Sequence, residues 1–280
     1  MAMKWIGKVT GGLLGGLVLG PIGAAIGLLL GHQFDEMGEA AEVLPAEELA
    51  TIGERFFRAS FRVMGYLAKA DGRVSEREIS AARAVMDELR LDAAQMREAI
   101  ACFTLGKQPD YDYGAELAQL TRICRGRGDL ARVFLEVQMR AALEGNDLDG
   151  PVRPLINRLA AALGVSSLEL VHIETVLRIQ RGGGFGGGGF GGGGFGARQA
   201  PGAAAAARDR ELEEAYRVLE TVPGASDEEV AKAYRRQLQR HHPDKLKSHG
   251  LPESMMAHAK QRTQQIIEAW EIVRERRGIR

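Results

Sequence analysis

A run of fifteen residues in the second half of the chain, residues 182–196, contains only glycine and phenylalanine. Such a segment cannot bury enough apolar surface to offset the entropy of ordering its backbone. It is not a phosphate-binding loop, because neither a strand before it nor a helix starting at its glycines is evident. Alanine, glycine and proline continue to about Ala207, so we predict a flexible linker over residues 181–208, with an average reach of roughly 30 Å. The parts of the chain on either side must therefore fold separately.

Length and charge exclude several classes of protein. A chain of 280 residues accommodates two modest domains plus connecting segments. Lysine plus arginine equals aspartate plus glutamate at 37 each, so no net field attracts nucleic acid, and we expect no nucleic-acid partner. Cys102 and Cys124 lack a metal-binding spacing and are predicted to be reduced core thiols. We find no nucleophile–base pair and no phosphate loop, and we expect neither enzyme activity nor a cofactor.

The N-terminal part of the chain has the length of a membrane anchor. From Val9 to Gly31 there are 23 residues without a charge, which as a helix span the roughly 30 Å of a bilayer core. We predict a transmembrane helix over residues 9–31 after a short tail, residues 1–8. A cleaved signal peptide would have a shorter apolar stretch and a small-residue cleavage site. We therefore expect this segment to remain uncleaved and to anchor the chain in the lipid bilayer.

Glycines recur every four residues within the predicted anchor, in two rows. Small faces of this kind allow two membrane helices to approach closely, so we predict a homodimer through the transmembrane helix. The alternative is an anchor that is merely rich in small residues. The two rows consist of Gly12, Gly16, Gly20, Gly23, Gly27 and Gly31.

The charges around the predicted anchor give an ambiguous orientation. Lys4 and Lys8 precede it, whereas Asp35 and Glu36 follow it. The distribution of positive charge taken alone would place the N-terminus in the cytoplasm and the rest of the chain outside.

The middle segment, residues 45–180, has helical periodicity throughout and no convincing strand. Its first apolar stripe includes Phe56, Phe61 and Leu67. After a turn at Gly72, Ser75 and Glu78 have the spacing of a capping box that starts the next helix. A weaker echo of that turn, residues 149–152, indicates an internal duplication.

The turn at residues 70–74, followed by two glutamates, resembles the TerB-like (tellurite-resistance B) helical domain. The resemblance raises the alternative of a shared divalent cation, but the spacing lacks the alternating ligands of an EF-hand. We therefore favour helix caps and solvated charge, with no metal. The acids concerned are Asp71, Glu76, Glu78, Asp147 and Asp149. Four arginines beside a break at Gly126 and Gly128 are predicted to form a solvated basic edge, with contact to anionic lipid head groups as the alternative: Arg122, Arg125, Arg127 and Arg132.

The C-terminal segment, residues 209–280, is predicted to contain three helices. The first runs near residues 211–220. Ser226 and Glu229 form a capping box for the second, which Pro243 ends because proline lacks a backbone donor. The last runs over about residues 253–276. An antiparallel hairpin of the second and third helices would place the corner between them at its tip.

Three motifs in this segment resemble the J domain: residues 233–236, the His-Pro-Asp triplet with Lys245, and residues 267–270. The triplet lies eight residues after Tyr234, as in that family. Gln237 replaces the family's usual leucine, and we expect Leu238 to fill the space. The resemblance implies that the segment binds the chaperone Hsp70 (DnaK) and stimulates its ATPase. The implied Hsp70-binding residues are His242, Pro243, Asp244, Lys245, Lys232, Arg235, Arg236 and Arg240.

The linker resembles the glycine/phenylalanine-rich region of J-proteins, although here it precedes the J domain. Its rings at Phe185, Phe190 and Phe195 are either spacer residues or weak docking groups.

The combination of anchor, TerB-like domain and J domain resembles the DjlA family of bacterial inner-membrane J-proteins. The resemblance implies an all-α, single-pass protein that regulates the chaperone at the membrane, with a link to envelope-stress or capsule signalling. Because Hsp70 uses cytoplasmic ATP, the resemblance also implies a periplasmic N-terminus and cytoplasmic C-terminal domains. The alternative is a membrane scaffold or signalling dimer in which the J domain only recruits Hsp70.

Overall fold

Amphipathic helices, together with one that is buried on nearly all sides, make up the part of the chain that the structure describes. The structure is a computed structural model, and it describes residues 44–181 and 201–279. These two ranges contain no strand, which confirms the predicted all-α class. The predicted membrane helix with its glycine rows, and residues 182–200 of the linker, lie outside them. No helix within residues 44–181 and 201–279 is long and apolar enough to cross a membrane.

Seven helices form what we call the middle bundle. Its central helix, α5 (Gly128–Asn146), is buried on nearly all sides, as its almost continuous apolar run Leu130–Leu135 predicts. Their bounds are α1 Ala46–Ala68, α2 Glu76–Glu88, α3 Ala93–Gly106, α4 Tyr113–Cys124, α5 Gly128–Asn146, α6 Val152–Ala162 and α7 Ser167–Arg181.

Close helix packing explains two glycines of the middle bundle. A Cβ atom on Gly65 of α1 would lie 2.1 Å from the carbonyl oxygen of Phe103, and one on Gly106 of α3 would lie 1.8 Å from that of Arg62. The backbones of α1 and α3 therefore touch, and no larger residue fits at either position. The predicted core residues of α1 are buried, and Phe56 packs edge-on against Phe134 of α5, with ring centroids 5.6 Å apart.

The turn before α2 has the predicted capping box. The Glu78 carboxylate accepts from the Ser75 backbone N–H at 2.8 Å, while the Ser75 hydroxyl accepts from the Glu78 N–H at 3.3 Å. Near the echo turn, Asp147 pairs with Arg178 and Arg181 at 3.0 and 2.6 Å. Two of the acids that could have shared a divalent cation, Glu78 and Asp147, are thus engaged in a helix cap and in ion pairs. Among the described residues, no three His, Cys, Asp or Glu side chains gather in a metal-binding cluster.

The remaining helices form what we call the C-terminal unit: α8 Pro201–Val218, α9 Asp227–His241, α10 Pro243–Ser248, a 3-10 turn Glu253–Met255 and α11 Met256–Arg277. The unit has its own apolar core, which includes Tyr216, Leu219, Val230, Ile266 and Val273. Its Ser226–Glu229 capping box is present as predicted.

The predicted start of the first C-terminal helix is wrong. Helix α8 begins at Pro201 and not near Glu211, so its first turns lie in the stretch that we assigned to the linker. Two local preferences account for the difference. The alanines at 203–207 are the strongest helix formers, and proline at the first helical position has the required φ and lacks only an N–H that would be unpaired there.

Candidate functional site: the His-Pro-Asp corner

The His-Pro-Asp triplet forms a rigid corner between two helices. Helix α9 ends at His241, and the short helix α10 starts at Pro243, which occupies its first position. His242 between them caps α10, because its Nδ1 accepts a hydrogen bond from the Asp244 backbone N–H at 3.2 Å. An accepting Nδ1 requires the neutral ring with its proton on Nε2. The imidazole thus fixes the backbone direction of the residue after Pro243.

The corner presents its carboxylate to solvent. The Asp244 side chain is 91% exposed and that of His242 is 42% exposed, and the Asp244 Oδ2 atom lies 3.9 Å from the His242 Nδ1 atom. An exposed carboxylate on a rigid backbone suits recognition of a cationic group on another protein. The arrangement contains no activated nucleophile.

Packing behind the corner holds it in place. The Thr263 hydroxyl of α11 donates to the His241 carbonyl at 2.8 Å, and Leu246 of α10 is fully buried. Tyr234 stacks on Trp270 with ring centroids 4.8 Å apart, so α9 and α11 form the predicted hairpin.

One packing expectation is wrong. Gln237 is itself fully buried, while Leu238 packs only partly against the core. Leu238 therefore does not replace Gln237 in the space of the usual leucine. Gln237 follows Val230 by seven residues and Ala233 by four, which places all three on one helix face. That face is buried, so Gln237 is buried although its side chain is polar.

The predicted basic face of α9 divides into two halves. Lys232 and Arg235 are exposed. Arg240 lies 3.1 Å and Arg236 lies 3.8 Å from the Glu220 carboxylate at the end of α8. Lys245, directly after the triplet, pairs with Asp129 of the middle bundle, at 2.7 Å between Nζ and Oδ2. The eight predicted chaperone-binding residues are thus neighbours, but three of their cations are already paired.

A buried polar cluster joins the C-terminal unit to the middle bundle. The Glu136 carboxylate of α5 lies 3.0 Å from Nε2 of His258, and Arg262 and His241 are buried beside it. Burial opposes ionisation of Glu136, but the hydrogen bond from His258 and the charge of Arg262 outweigh it and hold its pKa below the usual range. Burial lowers the pKa of His241 to about 3. At neutral pH the cluster therefore contains an ionised Glu136 and a neutral His241.

The prediction of a solvated basic edge is wrong for Arg132. This side chain is buried and pairs with Glu169 of α7 and with Glu220 in the turn after α8. It lies on the side of α5 that the C-terminal unit covers. The two cysteines are buried, as predicted, and burial raises the pKa of Cys124 to about 12, so its thiol is unreactive at neutral pH.

The polar cluster was missed at the level of sequence, although two signals point to it. Glu136 lies between Leu135 and Val137 in a mostly apolar stretch that indicates a buried helix, where a charge needs a partner. His258, Arg262 and Gln265 recur at the spacing of one helix face, which is equally typical of a solvated stripe.

Comparisons with known proteins agree with this geometry. Residues 3–50 match the family described as the co-chaperone DjlA transmembrane domain, and residues 214–278 match the DnaJ domain. The chain is 39% identical to the co-chaperone protein DjlA of Coxiella burnetii, over 99% of this chain and 100% of that protein. It is 38% identical to that of Photobacterium profundum, over 98% of this chain and 99% of that protein. No solved structure matches the chain.

The DnaJ-domain match includes the whole corner, the basic face of α9 and all of α11. A J domain implies an Hsp70 chaperone as a partner in general, and the N-terminal match implies association with a membrane. Because relatives of this similarity align over nearly its full length, the chain belongs to the DjlA family of co-chaperones.

Proposed function

We propose that this co-chaperone stimulates ATP hydrolysis by a cytoplasmic Hsp70 (DnaK) through its His-Pro-Asp corner. The observation that carries the proposal is the 91% exposed Asp244 carboxylate, held in a fixed direction by the His242 cap and Pro243. Asp244 meets a cation on the chaperone, while His242 and Pro243 maintain the backbone shape. Contacts of this kind accelerate hydrolysis only where they favour the hydrolysis-competent state of the chaperone over its resting state.

The basic face of α9 supplies the attraction that precedes this contact. Lys232 and Arg235 project into solvent, where they attract an acidic surface and raise the association rate. At physiological ionic strength, salt screens the attraction between exposed charges that are more than about 8 Å apart. The rate of association with the chaperone should therefore fall as salt rises.

The membrane arrangement that we propose rests on the sequence. A helix over residues 9–31 anchors the chain in the bacterial inner membrane, with the short tail in the periplasm and residues 45–280 in the cytoplasm, where ATP is available. Its two glycine rows pair two copies of the chain. Within residues 45–280 we assign 45–180 to a TerB-like domain and 209–280 to the J domain.

The proposal is tested by His242→Gln in the full-length chain. A flexible amide cannot hold the Asp244 backbone N–H as the ring does, so we expect stimulation of Hsp70 ATPase to fall to the unstimulated rate. Steady-state ATP hydrolysis measures this, and circular dichroism checks that helicity is retained. Lys247→Gln is the matched control, because that side chain is exposed five residues further on and we expect full stimulation from it. Undiminished stimulation by the His242 variant would refute the proposal.

A further inference from the structure

The middle bundle contacts the C-terminal unit at the residue that follows the corner. Asp129, in the first turn of α5, has its Oδ2 atom 2.7 Å from Lys245 Nζ and 3.8 Å from His249 Nδ1. The Asp129 side chain is only 16% exposed, so this pairing is partly shielded from water. One cation of the proposed chaperone-binding surface is therefore engaged by the bundle.

Glu220 of the C-terminal unit forms a second charged contact with the middle bundle, beside the basic face of α9. On one side its carboxylate lies 3.2 Å from Arg132 and 3.3 Å from His172, both of the middle bundle. On the other side it lies 3.1 Å from Arg240 and 3.8 Å from Arg236. A carboxylate shared among these cations weakens their field toward an acidic partner. The pairs of Glu220 with Arg236 and Arg240 lie within the C-terminal unit, whereas its contacts with Arg132 and His172 form only in the docked arrangement.

The chemistry of the contact permits separation. Its buried centre is the Glu136–His258 pair with Arg262, and Gln180 of α7 donates to Gln265 of α11 at 2.6 Å. Polar groups on both surfaces regain water when the surfaces part, which an apolar contact cannot do. Interfaces between domains of one chain are typically of this polar, transient kind.

Packing at the edge of the contact is loose in one place and tight in another. A cleft of about 400 Å³ lies between the start of α1 and the turn after α10. Beside it the backbones nearly touch, because a Cβ atom on Gly53 of α1 would lie 3.2 Å from the Gly250 carbonyl oxygen and 3.6 Å from Pro252 Cα. Any side chain at position 53 would therefore press against the C-terminal unit.

We propose that the middle bundle is a releasable restraint on the J domain, which holds Lys245 away from the chaperone until the two surfaces separate. This inference rests on the proposed function. The chain joins the two parts covalently, so docking and chaperone binding compete within one molecule. If the docked form predominates, the apparent affinity for the chaperone is reduced by the fraction of chains that are released.

The test is Gly53→Leu in the full-length, membrane-inserted chain. This substitution lies outside the J domain and leaves its corner, core and charges unchanged. We expect the leucine to separate the surfaces and to lower the concentration needed for half-maximal ATPase stimulation by about three- to tenfold, the gain expected when a predominantly docked population is released. Hydrogen exchange of the α11 segment around His258 and Arg262 reports separation independently of the chaperone. Thr51→Leu is the matched control, since Thr51 is exposed on the same helix.

A second variant, Asp129→Lys, separates the surfaces by charge and not by bulk, since it places a cation opposite Lys245. Faster exchange in α11 without a gain in stimulation, in either variant, would overturn the restraint. Unchanged exchange in both variants would also overturn it, because the contact would then not be releasable. Failure of the proposed function is distinguishable, because the unaltered chain would then give no stimulation at any concentration.

Discussion

The apolar core of the C-terminal unit and its contact with the middle bundle are both buried, but they are built from opposite chemistry. Val230, Ile266 and Val273 of the core are fully buried. The contact is buried almost as deeply around Glu136 and Arg262, yet this centre consists of charges and amides. Exposing the core costs about 25 cal/mol for each Å² of apolar surface, whereas the groups of the contact exchange protein partners for water. Burial alone therefore does not show which contact is permanent.

The largest effect is expected from a cavity in the core. Ile266→Ala should lower the free energy of unfolding of the C-terminal unit by about 2–5 kcal/mol, because it removes buried methyl groups and leaves a void. Urea denaturation followed by circular dichroism measures the loss. Val222→Ala is the control, since Val222 is 62% exposed, and it should change stability by less than about 0.5 kcal/mol. Equal losses in the two variants would remove the distinction between core and surface.

A smaller effect is expected from pH, and it should act on the contact. His241 is held neutral by burial, with its pKa lowered to about 3, and it faces Glu136 and Arg132 from α5 and Arg262 and His258 from α11. A released His241 takes up a proton below pH 6.5, whereas the docked form does not. Docking is therefore complete above this pH and weakens as the pH falls, by up to about 2 kcal/mol at pH 5.

Förster transfer between labels on α1 and α11 measures this release without the chaperone. His241→Gln should make the profile between pH 7 and pH 5 shallower; the remaining slope comes from His172 and His249 at the contact, because burial lowers the pKa of each of them as well. The pKa values of Glu136 and Glu220 are lowered, so these carboxylates stabilise docking at any pH above their ordinary pKa near 4.5. Their contribution to docking is therefore lost only below pH 5, outside the measured range. Transfer that stays constant from pH 7 to pH 5 in the unaltered chain would contradict the role of His241.

The smallest effect on stability is expected on the exposed half of the basic face. Arg235→Glu should change the free energy of unfolding by less than about 0.5 kcal/mol, because the side chain is exposed. It should nevertheless slow association with Hsp70 by about tenfold at low salt, and the difference should narrow as salt rises. Stopped-flow binding measures the rate. Arg276→Glu, an equal charge change near the far end of α11, should slow it less, and equal slowing would show a nonspecific effect of net charge.

Local features of this fold were predictable because a few neighbouring residues encode them. The capping boxes at Ser75 and Ser226, and the corner at Pro243, each depend on contacts within three residues. The start of α8 is also encoded locally, in the alanine run. The glycine-rich composition before it nevertheless led to a linker being predicted there. Gln237 was misjudged because its burial depends on the neighbours that α9 acquires in the hairpin.

The sequence by itself determined the all-α class, the position of the His-Pro-Asp corner and the cations around it. Only the tertiary structure decided which of those charges face water and which meet a partner. Glu136 and His258 are separated by 122 residues, and a charged side chain on a helix is equally compatible with solvent or with an opposite charge. The choice depends on which helices pack together, and no local pattern specifies that.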